Sequence, residues 1–272
     1  MIVTQFRPET QYEKPMKKIA YTICSVILLT SCAAGPQYAP TAVPKDRLPR
    51  LGNIGIISLM ADEFRIHYVG GGKLANRYNK ADVKEWHIDE HVIEVAGNYM
   101  QAKGYTTKDL SYDAGALFNV YTRAKTNTDK RVKKIRAQLQ ELGAQHNIDT
   151  FVLFYRGYGP DFIGQSAEPV WGYGVYNQRQ RGYQIAQATY VVIDADVVDA
   201  KSGELLAAVN DKYKMQPKEE IWHWTYEERN EGIIPLGKKG EPKLKEMTLY
   251  GFSRVVENAL AHLGFYTKIS SP

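Results

Sequence analysis

Cysteine is nearly missing from this 272-residue chain: there are two, Cys24 and Cys32, both within the first 32 positions. Everything after Cys32 lacks a thiol, which excludes a disulfide framework, thiolate metal ligands and a cysteine nucleophile from that part. Long apolar runs are missing too. The best stretch, residues 19–29, is about half of the roughly 20 residues that a membrane span needs. Charge of one sign is scarce. The formal net charge is +5, and residues 1–31 carry four basic and two acidic side chains, so +3 remains without them. That balance is too mild for the electrostatic footprint of a nucleic-acid binder, and no nucleic-acid partner is expected.

Familiar catalytic signatures are also absent. Gly70-Gly71-Gly72-Lys73 is not a phosphate-binding loop, because His67 stands where the first glycine belongs and Leu74 where Ser or Thr belongs. Gly164-Gln165-Ser166-Ala167-Glu168 lacks the closing glycine of a nucleophile elbow, and no Ser-x-x-Lys pair occurs. No cofactor is implied.

What is present begins at Met16. Lys17 and Lys18 precede the apolar run, and the small polar pair Thr30 and Ser31 leads into Cys32, the order of a removable export signal. Residues 1–15 carry no pattern and are read as untranslated or disordered, with Met16 as the start. Leu29-Thr30-Ser31-Cys32 resembles the lipobox of bacterial lipoproteins. The resemblance implies that Cys32 receives a diacylglyceryl group, that signal peptidase II cuts before it, and that the new amino terminus is acylated with palmitate or a similar chain. Several acyl chains, at about 0.8 kcal/mol per buried CH₂, anchor a protein without a transmembrane helix. Ala33 resembles the non-aspartate second residue that permits transport to the outer membrane. The expected location is therefore the periplasmic face of the outer membrane.

Residues 33–50 contain four prolines and no apolar periodicity, so residues 32–50 are expected to be a lipidated cysteine on an extended tether. A single domain is expected over residues 51–268. Residues 52–60 form a β-branched run bounded by turn formers, a buried strand with Asp62 and Glu63 beyond its carboxyl end. Helical spacing of Val83, Trp86, Ile93, Ala96 and Met100 predicts a helix over 82–103, with Asp82 as N-cap and Gly104 as stop. Another helix is expected over 129–142, a continuous apolar strand over 150–156, a hairpin of 188–200 with 204–210, and a closing amphipathic helix over 247–263. The expected fold class is α/β (α+β): a small mixed sheet packed by two or three helices, with a Gly/Tyr-rich hairpin and a Trp-rich insert over 212–245.

The segments LGAQHNIDTFVLF (142–154) and ATYVVIDADVVDAKSGELLAAV (188–209), with a D-x-x-x-G-E-L hairpin at Asp199 to Leu205, resemble a group of periplasmic α/β lipoproteins. These include the curli-secretion lipoprotein and the lipoprotein activators of penicillin-binding proteins; the amino-terminal domain of the Tol translocation protein is similar. The resemblance implies a mixed sheet packed by helices and a role in binding or assembly rather than catalysis.

Four places are candidates for function. Residues 155–183 alternate glycine with tyrosine and hold Trp171 and three arginines, the side chains enriched at binding hot spots. Tyr158, Trp171, Tyr173, Tyr176 and Arg179 are the expected contact residues for an envelope protein or a second copy, with glycan stacking as another use; an edge hairpin with ordinary surface aromatics is the bland alternative. His87, His91 and Glu94 would offer zinc three ligands on one helix face, because side chains four apart converge. They carry the rival expectation, a metal-dependent envelope hydrolase, against a plain solvated flank. Trp222-His223-Trp224-Thr225-Tyr226 would form a lid or a satellite core. The basic run from Lys130 to Arg136 would meet anionic groups or simply face water. A structural spacer is the third reading.

Overall fold

A computed structural model describes residues 42–72, 76–117, 130–181, 183–216 and 240–266, without the side chains of 130–134. The signal with Cys32, most of the tether, the Trp222 to Tyr226 cluster and the side chains of Lys130, Arg131, Lys133 and Lys134 lie outside the described residues. Arg136, at the end of the basic run, is exposed.

The fold is the expected mixed α/β class, with one large sheet of eight strands. The chain runs β1 (Asn53–Leu59), β2 (Glu63–Val69), β3 (Arg77–Asp82), α1 (Ile88–Ala102), β4 (Thr106–Lys108), α2 (Lys130–His146) and β5 (Thr150–Arg156). A two-stranded ribbon follows, β6 (Tyr158–Gly159) with β7 (Val170–Trp171), and then β8 (Tyr173–Gln180), β9 (Tyr183–Asp199), β10 (Leu205–Met215) and α3 (Glu241–His262). Hydrogen-bonded neighbours read β3-β2-β8-β9-β5-β1-β4, with β10 also on β9.

The 17-residue β9 organises this sheet. Its residues 189–191 pair with both β8 and β10, and residues 193–198 with both β5 and β10. A strand has two edges, so β10 holds one edge while β8 and β5 follow each other along the opposite one. In the next row β2 continues where β1 ends, parallel to β8 as β1 is parallel to β5. The sheet thus has two wings joined by β9, a proximal one of β4, β1 and β5 and a distal one of β8, β2 and β3; the chain passes from proximal to distal at residues 60–62 and again at 157–172, returning between β3 and β4.

Alternation along the strands sorts side chains onto two faces. One face carries Ile54, Ile56, Val152, Phe154, Phe64, Tyr173, Val191 and Ile193, and is covered by α1 through Val92, Ala96 and Met100 and by α3 through Phe252, Val256 and Leu260. On the other face the proximal wing packs Ile57, Leu59, Phe151 and Leu153 against Ile135 and Leu139 of α2. Among the described residues the distal wing has no helix there. Its Tyr176, Tyr190 and Val192 are covered instead by Ile163 and Val170, from the 157–172 excursion.

Several expectations need correction. The tether ends earlier than residue 50: Val43 is buried and its N–H donates to the Leu263 carbonyl at 2.9 Å, so residues 43–51 pack on the domain. The predicted helix over 82–103 begins at Ile88 because residues 77–82 are taken by β3, whose Asp82 pairs with Glu63. The Gly/Tyr segment is not an edge hairpin. Its second half is β8, interior between β2 and β9. No helix among the described residues is long and apolar enough to cross a membrane.

Candidate functional site

The excursion between β5 and β8 is held at a narrow neck. Gly157 N–H donates to the Val192 carbonyl, Val192 N–H to the Gly172 carbonyl, and Gly172 N–H to the Gly157 carbonyl. Gly172 has a left-handed backbone (φ 58°), and close approach requires Gly157 and Gly174. A Cβ on Gly157 would lie 2.6 Å from the Ile193 carbonyl carbon, and one on Gly174 would lie 1.9 Å from the Arg65 carbonyl oxygen. At Gly157 and Gly174, then, the glycines of this segment mark close backbone approach.

Beyond the neck, Asp161 ties the loop. Its Oδ1 accepts from the backbone N–H groups of Ile163 and Gly164, and its Oδ2 from the N–H of Ser166 and the Tyr176 hydroxyl, at 2.5–2.9 Å. Burial works to raise the Asp161 pKa, but the Tyr176 hydroxyl, Ser166 and the backbone donors prevail and hold it below its ordinary value. The knot fixes the loop from inside.

Between this loop and the strands β2 and β3 lies a cleft of about 330 Å³, lined by Arg65, His67, Tyr78, Lys80, Glu168, Pro169, Trp171 and Tyr190. Its rim is aromatic: Trp171 is 49% and Tyr78 51% exposed. The Arg65 guanidinium lies over the Trp171 ring at 5.6 Å from its centroid, and Tyr158 meets the ring edge-on at 5.0 Å. Across the cleft, the Tyr78 hydroxyl donates to Glu168 at 2.9 Å and joins the edge strand to the loop. Burial and the Glu168 carboxylate push the Tyr78 hydroxyl up to about 12.

The cations beside the cleft share one carboxylate. Glu63 accepts from Arg65 and Lys80 at 2.8 Å and from Arg156 at 3.1 Å. Its burial would raise its pKa, yet the Lys80 hydrogen bond and the Arg156 and Arg65 charges lower it. On the floor, His67 is 4% exposed, packed against Tyr78 at 4.6 Å and Tyr176 at 5.2 Å. Burial drives the His67 pKa down to about 4, against the pull of Asp161 and Glu168, so its imidazole is neutral at physiological pH.

A histidine whose folded pKa lies below its unfolded value supports the fold only while uncharged. Its contribution is complete above the unfolded value of 6.5 and is lost as pH falls from there to about 4. Chemical denaturation across that range is expected to show a loss of roughly 3 kcal/mol that His67→Phe removes. An unchanged pH profile in the variant would contradict the assignment.

The sequence-predicted residues are distributed as follows. Tyr158 and Trp171 are exposed and adjacent on the ribbon. Tyr173 is fully buried on the helix-covered face, its hydroxyl donating to the Ala61 carbonyl at 2.6 Å, and Tyr176 is buried under the excursion. Arg179 is half-buried, lies beyond a register irregularity at Gln178 and does not line the cleft. The five do not form one surface, because strand alternation divides them. His87 takes a left-handed backbone (φ 55°) ahead of α1, so it does not share a helix face with His91. The His91 Nε2 lies 3.0 Å from the Leu249 carbonyl and from the Ser253 hydroxyl of α3, and Glu94 is exposed. Among the described residues no group of three potential metal ligands forms. The cleft residues Arg65, His67 and Tyr78 were missed; the signal was EFRIHYV, an alternating strand leading into three glycines.

No protein-family model and no curated protein matches the chain. Among solved structures, a PelC dodecamer from Paraburkholderia phytofirmans is 8% identical, covering 83% of this chain and 94% of that one, at a TM-score of 0.35. Lipoprotein GNA1162 from Neisseria meningitidis is 12% identical, over 62% of this chain and 86% of that one, at 0.27. The hypothetical protein CT253 from Chlamydia trachomatis is 9% identical, over 80% and 98%, at 0.37. These likenesses carry no property over to this chain.

Proposed function

We propose that this chain is a lipid-anchored, non-catalytic binding or assembly module of the bacterial cell envelope, facing the periplasm from the outer membrane, with the cleft as its contact site. The cleft carries the reading. Its exposed Trp171 and Tyr78, with Tyr158 beside Trp171 on the ribbon, are the kind of side chain that dominates binding energy, and they stand on strands next to a knotted loop. Its Arg65 and Lys80 are both held on Glu63, a fixed arrangement that suits recognition better than proton transfer. The lipobox and the proline-rich stretch after Cys32 support the anchoring.

A photo-crosslinking residue in place of Tyr158, in intact cells, is expected to capture one envelope component, and Trp171→Ala is expected to abolish the capture. Equal capture in both, or none in either, would sink the reading. Cys32→Ser is expected to move the protein from the membrane to the soluble fraction. Retention in the membrane fraction would contradict the lipid anchor.

A further inference from the structure

The walls of the cleft carry two poles of opposite charge. At one, the Arg65 and Lys80 side chains are 25% and 43% exposed and so within reach of a ligand. Both lean on Glu63 at 2.8 Å, and Glu63 also accepts from Arg156, so one carboxylate is divided among three cations. Glu63 takes one proton from Arg65 Nη2 and one from Lys80 Nζ, and each nitrogen carries more. Asp82, the next residue on that face of β3, does not line the cleft, and its Oδ1 accepts from the Lys84 N–H. The other pole is Glu168, half-buried, whose hydrogen-bond donor is the neutral Tyr78 hydroxyl. Among the described residues Glu168 forms no ion pair. Charges partly withdrawn from water and short of counter-charge gain from any counter-ion that the cleft admits.

The two poles sort ligands by sign and length. An anion at Arg65 and Lys80 is repelled by Glu168 across the same cleft, and a cation at Glu168 is repelled by Arg65 and Lys80. A molecule carrying both signs is attracted at both ends. The spacing follows from β3: Lys80 belongs to one pole, and Tyr78, which holds the other, lies two positions away on the same face, about 7 Å along the strand. In a single amino acid the ammonium and carboxylate share one carbon and cannot span that distance. In an extended dipeptide they stand two residue lengths apart, again about 7 Å. The cleft volume of about 330 Å³, at the low end of the roughly 300–1,000 Å³ of ligand sites, suits a molecule of that size. Trp171, half exposed beside Arg65, offers apolar surface to the side chain next to the carboxylate.

We propose, resting on the reading of the cleft as the contact site, that it binds a short zwitterionic peptide with both termini free, the carboxylate on Arg65 and Lys80 and the ammonium on Glu168. Lys80 and Glu168 are then the residues that select for the two termini.

The test is calorimetric titration of the detergent-solubilised full chain with the dipeptide Ala-Leu, with its N-acetylated form and with its C-terminal amide, repeated for Lys80→Gln and Glu168→Gln. Ala-Leu is expected to bind with Kd below about 1 mM, and each blocked form at least tenfold more weakly. Lys80→Gln is expected to erase the preference for Ala-Leu over the amide while keeping the preference over the acetylated form. Glu168→Gln is expected to do the reverse. This crossed pattern is not produced by general damage to the fold, and an unchanged Tm in both variants checks that the fold is intact. No heat from Ala-Leu, equal affinity for the blocked forms, or variants that keep both preferences would overturn the proposal. Capture through Tyr158 without dipeptide binding would overturn the dipeptide and leave the binding module standing. Absence of both would remove both.

Discussion

Gly174→Ala is expected to lower stability by about 3 kcal/mol or more, a Tm fall of roughly 6–12 °C for a domain of this size. The added methyl would lie 1.9 Å from the Arg65 carbonyl oxygen and 2.7 Å from its carbon, and backbone cannot swing away as a side chain tip can. Gly174 is the direct partner of Arg65 in the β2–β8 pairing and of Tyr190 in the β8–β9 pairing. Relief of the clash must therefore part β8 from a neighbour in the middle of the distal wing. Gly71→Ala is the control. It meets nothing within 4 Å, and its effect is expected to stay within about 0.5 kcal/mol. Thermal unfolding of the two variants side by side checks this, and equal Tm values would mean that β8 does not sit between β2 and β9.

Asp161→Ala is expected to undo the excursion without unfolding the sheet. The substitution strands three backbone N–H groups and the Tyr176 hydroxyl, in a loop whose cover over Tyr190 and Val192 rests on Ile163 and Val170. A loss of about 3 kcal/mol is expected, with proteolytic cutting between residues 160 and 170 and loss of capture at the cleft. Asp161→Asn keeps one acceptor and is expected to fall between wild type and alanine. The pH dependence carries its own sign. Because the folded pKa is depressed below the ordinary 3.8, the Asp161 contribution is present above that value and is lost as pH falls through the lower folded one. This acid limb lies below the His67 limb, which runs from 6.5 to about 4. Acid titration of stability should therefore show two separable stages, the upper removed by His67→Phe and the lower by Asp161→Asn. A single stage lost in only one variant would show that one of the two groups is not buried as described.

The two substitutions probe different layers of the same site. Gly174 governs whether the distal wing forms, and Asp161 governs whether the excursion stays over it. Both act on the cleft indirectly, since neither lines it. Trp171 and His67 do line it, and their replacement should leave the fold in place.

How far the fold was legible follows from how local each signal is. TFVLFYR is a strand over 150–156 because the five consecutive apolar or aromatic residues Phe151 to Tyr155 can be buried on both faces, and they are. The closing helix shows its stripe of Leu249, Phe252, Val256 and Leu260 directly, although Pro242 sits at its first turn and the helix starts at Glu241 rather than 247. The β2–β3 hairpin was hidden differently. EFRIHYV alternates, but its partner RYNKAD is polar and reads as a helix start, because edge strands need only one buried face and Asn79 and Ala81 supply it.

By itself, then, the sequence determined the kind of elements, the short apolar strands and amphipathic helices of a mixed α/β domain, since these depend on periodicity over a few residues. Only the tertiary structure decided that β8 and β5 share one edge of β9, that Tyr173 and Tyr176 turn inward while Trp171 and Tyr158 turn out, and that His67 and Arg65, about a hundred residues earlier, meet Trp171 in a cleft. Alternation in a strand is a local rule, but which of its two faces meets water is set by what packs there from elsewhere in the chain.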